Sequence, residues 1–178
     1  MATLAGLAWQ GALGSTFAMT DVQLREFTAS DKDWLVQQHS RIYADAEGFD
    51  DTFGPLVADI LDEFIRNARP MRDYGWIAEQ EGRRLGSIFC VHVSDQLAKL
   101  RMFLLVPEAR GKGLGKRLLR ACMQFARDAG YEEMQLWTHE SHRAACALYL
   151  SHGWTLQSSK PVRSFGQDLI EQSWSIRL

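Results

Sequence analysis

Periodicity and chain breakers alone make this chain one α+β (mixed α/β) domain, a central, mostly antiparallel sheet flanked by helices. Three observations carry that reading. Three strand-like segments between residues 74 and 105 are separated only by tight turns, which makes a meander and not a parallel crossover unit. Helical stripes stand on both sides of it, and no linker or composition break follows residue 20. With 178 residues, 46% of them hydrophobic and 24% charged, there is material for one core and hardly for two.

Val22 and Leu24 alternate with polar residues up to Phe27, the period of a half-buried strand. Ser30, with Asp33 three positions on, reads as a helix cap; Trp34, Leu35, Gln38, Ile42 and Ala46 continue at helical spacing until Gly48. Pro55 suits the first turn of a second helix, with Leu56, Val57, Ile60, Leu61, Phe64 and Ile65 as its apolar face and Pro70 as its stop. Residues 74–79, 85–93 and 98–105 form the meander, turned at Glu81-Gly82 and Ser94-Asp95. After Pro107 the period becomes helical. Leu114, Leu118, Cys122, Phe125, Ala126 and Ala129 make one stripe, ended by Gly130. Residues 134–138 are a strand, 141–152 a helix stopped by Gly153, and short strands at 154–157 and 172–176 close the sheet.

The formal net charge of -2 leaves no basic surplus to neutralise phosphates, which argues against a dedicated nucleic-acid binder. Cys90, Cys122 and Cys146 stand singly, with no CxxC and no His at zinc-ligand spacing; they read as reduced thiols of a cytoplasmic protein, and no metal site is expected. Residues 1–18 are apolar but hold no Lys or Arg, so the charged start of a secretion signal is missing, and Gly and Gln interrupt any membrane span. Met19-Thr20-Asp21 reads as a fresh start. Residues 1–20 are therefore expected to be an extension outside the core, and 21–178 the domain.

The chemistry concentrates at residues 104–116. A strand runs into Gly111, Gly113 and Gly115, and a helix begins at once. Unbonded N–H groups at a helix start point the same way, the macrodipole adds partial positive charge, and glycines let the main chain come close to a ligand. Arg110, Lys112, Lys116 and Arg117 surround the loop with cations. Together they suit a pyrophosphate. A Walker loop would need Gly-Lys followed by Ser or Thr, and a Rossmann fingerprint would need Gly at 116, where Lys stands, so a nucleotide-dependent oxidoreductase is disfavoured.

What is left, Arg110-x-x-Gly113-x-Gly115 directly after a strand, resembles the acyl-CoA motif of the GNAT N-acetyltransferase superfamily. Ala145-x-x-Leu148-Tyr149-x-x-x-Gly153-Trp154 resembles that family's later signature, at the right separation. The resemblance spans about residues 21–178 and implies a GNAT-like sheet that binds acetyl-CoA as acyl-donor cosubstrate and passes the acetyl group to a primary amine. By position, Arg110, Gly111, Lys112, Gly113, Leu114, Gly115 and Lys116 would hold the CoA pyrophosphate. Phe103, Leu104 and Leu105 would pair with the pantetheine arm, and Tyr149 would protonate the leaving thiolate. His142 stands where many members carry a cofactor-contacting Asn, and Val106 where a polar residue is common. Segments Trp76-Ile77-Ala78-Glu79, Ala98-Lys99-Leu100-Arg101, Leu136-Trp137-Thr138 and Ser164-Phe165-Gly166-x-Asp168-Leu169 are similar to the transferase half of MarR-type regulator–acetyltransferase fusions. The twenty or so residues ahead of the domain are too few for the DNA-binding half, so direct DNA binding is not expected. A homodimer fits the family's habit.

Acyl transfer also needs a donor facing the thioester oxygen, for which the N–H near Leu105 is the candidate. Tyr149 also reads as a helix tyrosine packed on the sheet. The proton acceptor for the amine is open among Glu79, His92, His139, Glu140 and a bound water. His39, Tyr43 and Glu47 share one helix face and could line the acceptor pocket, or simply be a mixed surface. Asp45, Glu47, Asp50 and Asp51 form an acidic cluster that could attract a cationic amine. The competing function is a GNAT-like module that senses acyl-CoA or binds a partner without turnover.

Overall fold

The computed structural model describes residues 22–178. The expectation of an N-terminal extension over residues 1–20 lies outside the described residues. In order, the elements are β1 (Gln23–Glu26), a 3-10 turn (Ala29–Asp31), α1 (Lys32–Glu47), α2 (Phe53–Asn67), β2 (Tyr74–Gln80), β3 (Arg83–His92) and β4 (Leu97–Leu105). A second 3-10 turn (Pro107–Ala109), α3 (Leu114–Asp128), β5 (Glu133–His139), α4 (Arg143–Ser151), β6 (Thr155–Ser164) and β7 (Gln167–Arg177) follow. The strands form a seven-stranded sheet in the order β1-β2-β3-β4-β5-β7-β6. Every neighbour pair is antiparallel except β4 and β5.

Because strand side chains alternate faces, β2 and β3 serve two cores. Trp76, Ala78, Ile88 and Cys90 pack under the α3 stripe of Leu114, Leu118, Cys122 and Ala126. Ile77 and Phe89 point the other way, against Leu35 of α1 and Val57 and Leu61 of α2. The helices thus lie on both faces, as the stripes required.

Three local readings are corrected. The cap before α1 is built from Thr28 and Asp31, not Ser30 and Asp33. The Asp31 carboxylate accepts the Thr28 N–H at 2.9 Å and its hydroxyl at 3.1 Å, because a 3-10 turn is inserted ahead of the helix. The last two strands are far longer than expected, Thr155–Ser164 and Gln167–Arg177. β6 is an edge strand with most residues exposed, so no apolar alternation marks it, and Pro161 is tolerated there because an edge N–H need not pair inward. α2 begins at Phe53, ahead of Pro55, after a turn in which Asp50 accepts hydrogen bonds from the Thr52 N–H and hydroxyl.

That turn docks onto the β6–β7 hairpin, whose two-residue tip, Phe165 (φ 52) and Gly166 (φ 72), has the left-handed conformation such hairpins need. The Asp50 N–H donates to Phe165 O at 3.1 Å, and Gln167 Nε2 donates to Gly48 O at 2.8 Å. Asp50→Ala should therefore lower stability by about 1 kcal/mol, roughly 2–4 °C in Tm. A melt that does not move would show the turn stands without its side chain.

Candidate active site

The parallel pairing of β4 with β5 is three residues long: Leu97, Ala98 and Lys99 oppose Glu133, Met134 and Gln135. Beyond it the strands part. β4 stays with β3, and β5 stays with β7 as far as His139. A bulge drives the parting. The β3–β4 register slips between Ser87 and Phe89, and Met102 takes φ 49 with its carbonyl held by Ser87 Oγ at 2.6 Å. The extra residue bends β4 out of the sheet plane. Val106 N–H donates to Leu85 O at 3.0 Å, so by the alternation of an antiparallel ladder the neighbouring Leu105 turns its N–H and C=O away from β3, into the opening. Arg110 Nε caps that carbonyl at 3.2 Å and leaves the N–H as the donor facing the gap. Leu104, paired with Ser87 and buried, supports this strand from within; Phe103 contributes its ring to the wall.

The glycine loop closes one end of the opening. Gly111 and Gly113 take φ 72 and φ 81, and nothing lies within 4 Å of where a Cβ would stand on either. Their role is conformational and leaves space for a ligand. At Gly115 a Cβ would sit 3.4 Å from Leu105, 3.5 Å from Leu148 and 3.6 Å from Phe103, ordinary contact distances, so the helix start packs against β4 and α4 here. The first helical bond runs from Arg117 N–H to Gly113 O, which leaves the N–H groups of Leu114, Gly115 and Lys116 without an acceptor one turn back. Leu114 is buried and anchors the helix start; Arg110, Lys112 and Lys116 are exposed around it. Arg117 leaves this set: its guanidinium donates to Val22 O at 2.6 Å and ties β1 to α3. The arrangement fits an anionic group with two phosphates.

Tyr149 is buried beneath the opening, its ring 6.3 Å from Phe103 and 5.8 Å from Trp154. Burial, with smaller contributions from Tyr43, Cys146 and Cys122, holds its phenol well above the ordinary range, so it keeps its proton at neutral pH. Beside it α1 and α4 meet. His142 accepts or donates at Nδ1 with Thr138 Oγ1 at 3.0 Å, and its Nε2 lies 3.6 Å from Glu47 Oε1. The Tyr43 ring stands edge-on to His142 at 5.1 Å. Burial lowers the His142 pKa despite Glu47, and pushes Tyr43 up to about 12.

An aromatic wall joins this corner to the hairpin: Phe49 and Phe53 pack on Phe165 at 4.8 and 4.9 Å, and Phe49 on His139 at 5.7 Å. His139 Nδ1 is buried without a hydrogen-bond partner among the described residues, and burial lowers its pKa. The other candidate proton acceptors stand apart. Glu79 accepts both Nε and Nη2 of Arg25 at 2.8 and 2.7 Å, and His92 bonds the Tyr131 hydroxyl at 3.1 Å, at the far end of β3. Glu140 is exposed and attached through its N–H to Ile170 O. In the acidic cluster, Asp50 is committed to its turn and Glu47 faces His142. His39 is buried in α1 with its Nδ1 on Leu35 O, and its ring stacks on Tyr43. Phe165 lies in the quoted segment Ser164-Phe165-Gly166, in the closing hairpin expected to shape the acceptor side, whereas nothing in the sequence signals the Met102 bulge. Among the described residues no group of His, Cys, Asp and Glu could hold a metal, and no helix is long and apolar enough to cross a membrane.

The family model for the acetyltransferase (GNAT) family matches residues 24–154. Human N-acetyltransferase 8B is 39% identical over 83 residues, 44% of this chain and 37% of that protein. The match thus spans less than half the length of such curated relatives. Among solved structures, the Salmonella typhimurium protein yncA, with its cofactor acetyl-CoA, superposes with a TM-score of 0.67 at 19% identity over 88% of this chain and 94% of its own. Spermidine N-acetyltransferase from Vibrio cholerae, in complex with CoA and spermine, superposes at 0.68 with 16% identity over 89% and 96%.

Proposed function

Since the chain belongs to the acetyltransferase (GNAT) family, we propose that it is an N-acetyltransferase that takes an acetyl group from acetyl-CoA and transfers it to a primary amine by direct attack. The observation that carries this is the parting of β4 from β5 beside the glycine loop, with the Leu105 N–H in the gap and the Tyr149 phenol beneath it. The loop N–H groups and Arg110, Lys112 and Lys116 bind the pyrophosphate. The unpaired edge of β4 takes the amide-bearing arm as a further strand would. Acetyl-CoA supplies the activated acetyl group. Leu105 N–H stabilises the negative charge that grows on its carbonyl oxygen, Tyr149 gives its proton to the departing sulfur, and the proton the amine loses returns through bound water to restore the phenol. His142, bonded to Thr138 Oγ1 at 3.0 Å and 3.6 Å from Glu47, is a further cofactor contact in this reading. A kinship with the transferase half of MarR-type regulator–acetyltransferase fusions, supported by the segments quoted above, is part of the same proposal. A cytoplasmic location and a homodimer complete the proposal.

Calorimetric titration of acetyl-CoA into the purified protein, with NADH as control, tests it. Gly113→Glu should weaken binding at least ~10-fold, since it forces a side chain into the left-handed region and sets a carboxylate against the phosphates. Equal affinity for the variant would remove the loop from the binding site. Binding without thiol release on any amine would leave an acyl-CoA-binding module.

A further inference from the structure

Two cations on the α1–α2 face of the sheet stand where burial should have given them partners, and we propose that Lys99 and Arg101 bind a carboxylate carried by the acceptor. The acceptor would then be an amine with an acidic group beside it. This rests on the acetyl-transfer reading above.

The pleat places both residues. Ala98 and Leu100 are buried in the α3 core, so Lys99 and Arg101 project to the opposite face, opposite Val91 and Phe89 in register. There the C-terminal half of α2 overhangs a groove whose floor includes Phe89, Val91, Arg101 and Met102. Lys99 is also the last β4 residue paired with β5, at the point where the opening begins. Its Nζ lies 3.1 Å from the centroid of the Trp137 ring, which is 57% exposed. Among the described residues, Arg101 makes no hydrogen bond and no ion pair, and Lys99 has the Trp137 ring as its direct contact.

Neighbouring carboxylates do not answer these charges. Glu171 approaches Lys99 electrostatically but pairs with Lys160 at 3.1 Å. Asp73 accepts the N–H groups of Arg69 and His92, and Glu63 lies on Arg66 and Asn67. His139, further along β5, is kept neutral by burial, and Arg69 on the rim of the groove adds positive charge. Burial, reinforced by the repulsion of Arg101, brings the Lys99 ammonium down to about 8, and burial lowers Arg101 as well. A guanidinium taken from water without an acceptor is costly, and a carboxylate meets it with two parallel hydrogen bonds. Lys99 ends the three-rung pairing, so a carboxylate on this pair would lie where the parting of β4 and β5 begins. A polycationic amine would be repelled.

The test is a thiol-release assay on the common amino acids, each beside its amide and its decarboxylated amine, with calorimetry of acetyl-CoA on every variant. The wild type should favour acids over amides at least ~10-fold in kcat/KM. Arg101→Gln and Lys99→Gln should erase that preference through KM while acetyl-CoA affinity stays unchanged, and Arg101→Lys should restore part of it. Calorimetry with the N-acetylated acid and its amide should show the same ranking without turnover. Amides or plain amines used as well as acids, or no amino acid bound or acetylated by a chain that binds acetyl-CoA, would overturn this proposal alone. Failure to bind acetyl-CoA would take the acetyl-transfer reading down with it.

Discussion

Tyr149→Phe is expected to lower the rate of the chemical step by about 10²-fold or more while leaving acetyl-CoA affinity unchanged. The substitution removes one oxygen and keeps the ring between Phe103, Trp154 and Trp174. The hydroxyl is suited to one task. Burial raises its pKa well above the ordinary tyrosine value, so it is a neutral phenol at neutral pH with a proton to donate. A thiolate leaving in a buried site has few other proton sources, since the Tyr43 phenol is also raised and His142 is kept neutral by burial. Single-turnover measurement separates this step from product release. A single-turnover rate equal to wild type would take Tyr149 out of the chemistry and leave it as packing.

Asp31→Ala is expected to cost about 3–5 kcal/mol of folding stability, read from the urea midpoint. Asp31 is 0% exposed and is shared by two guanidinium groups. Arg25 meets it with two bonds of 2.8 Å, and Arg84 Nε approaches to 2.6 Å. Arg25 also reaches Glu79, so one cluster joins β1, β2, β3 and the start of α1. Removal of the carboxylate leaves two guanidinium groups facing each other with one fewer anion. The pH dependence follows from sign. Burial alone would raise this carboxyl, but the hydrogen bonds from Arg25, Thr28 and Arg84 outweigh it and hold the group below the usual carboxylate range. Its contribution is therefore complete above the unfolded value of about 3.9 and is lost as pH falls towards the folded one. Wild type and variant should converge in strong acid. A difference below about 1 kcal/mol at pH 7 would mean the arginines find other partners.

The parts of this fold that sequence made legible are those where local chemistry repeats. The α3 stripe, the Gly48, Gly130 and Gly153 stops and the meander each declare themselves within a dozen residues. The glycine loop does so too, because phosphate-binding backbone needs glycine at fixed spacing. Other features depend on distance. Arg25 and Glu79 meet across 54 positions, and nothing near either names the other. Only the start of β6 is legible, because an exposed edge strand needs no apolar face. The bulge at Met102 carries no glycine to announce its positive φ, since Ser87, on the neighbouring strand, supplies the bond that holds it. Arg117 was grouped with the loop cations by adjacency, but the helix turns it towards Val22. In the corner where α1 meets α4, the i, i+4 spacing of Tyr43 and Glu47 was legible; the Phe165 ring packed on Phe49 comes from a hairpin more than a hundred residues later.

The three-rung union of β4 and β5 makes the sheet two leaves on a short spine. One leaf is the β1–β4 meander and the other is the β5–β7–β6 unit, with α3 and α4 as the covers that connect them. Each leaf presents a strip of unmatched backbone to the other across the gap. A molecule whose own amides lie along that strip completes the lattice of hydrogen bonds the protein leaves unfinished. On the proposed reading, cosubstrate binding would be a last stage of folding, in which the gap between two half-sheets is filled for as long as the cosubstrate stays.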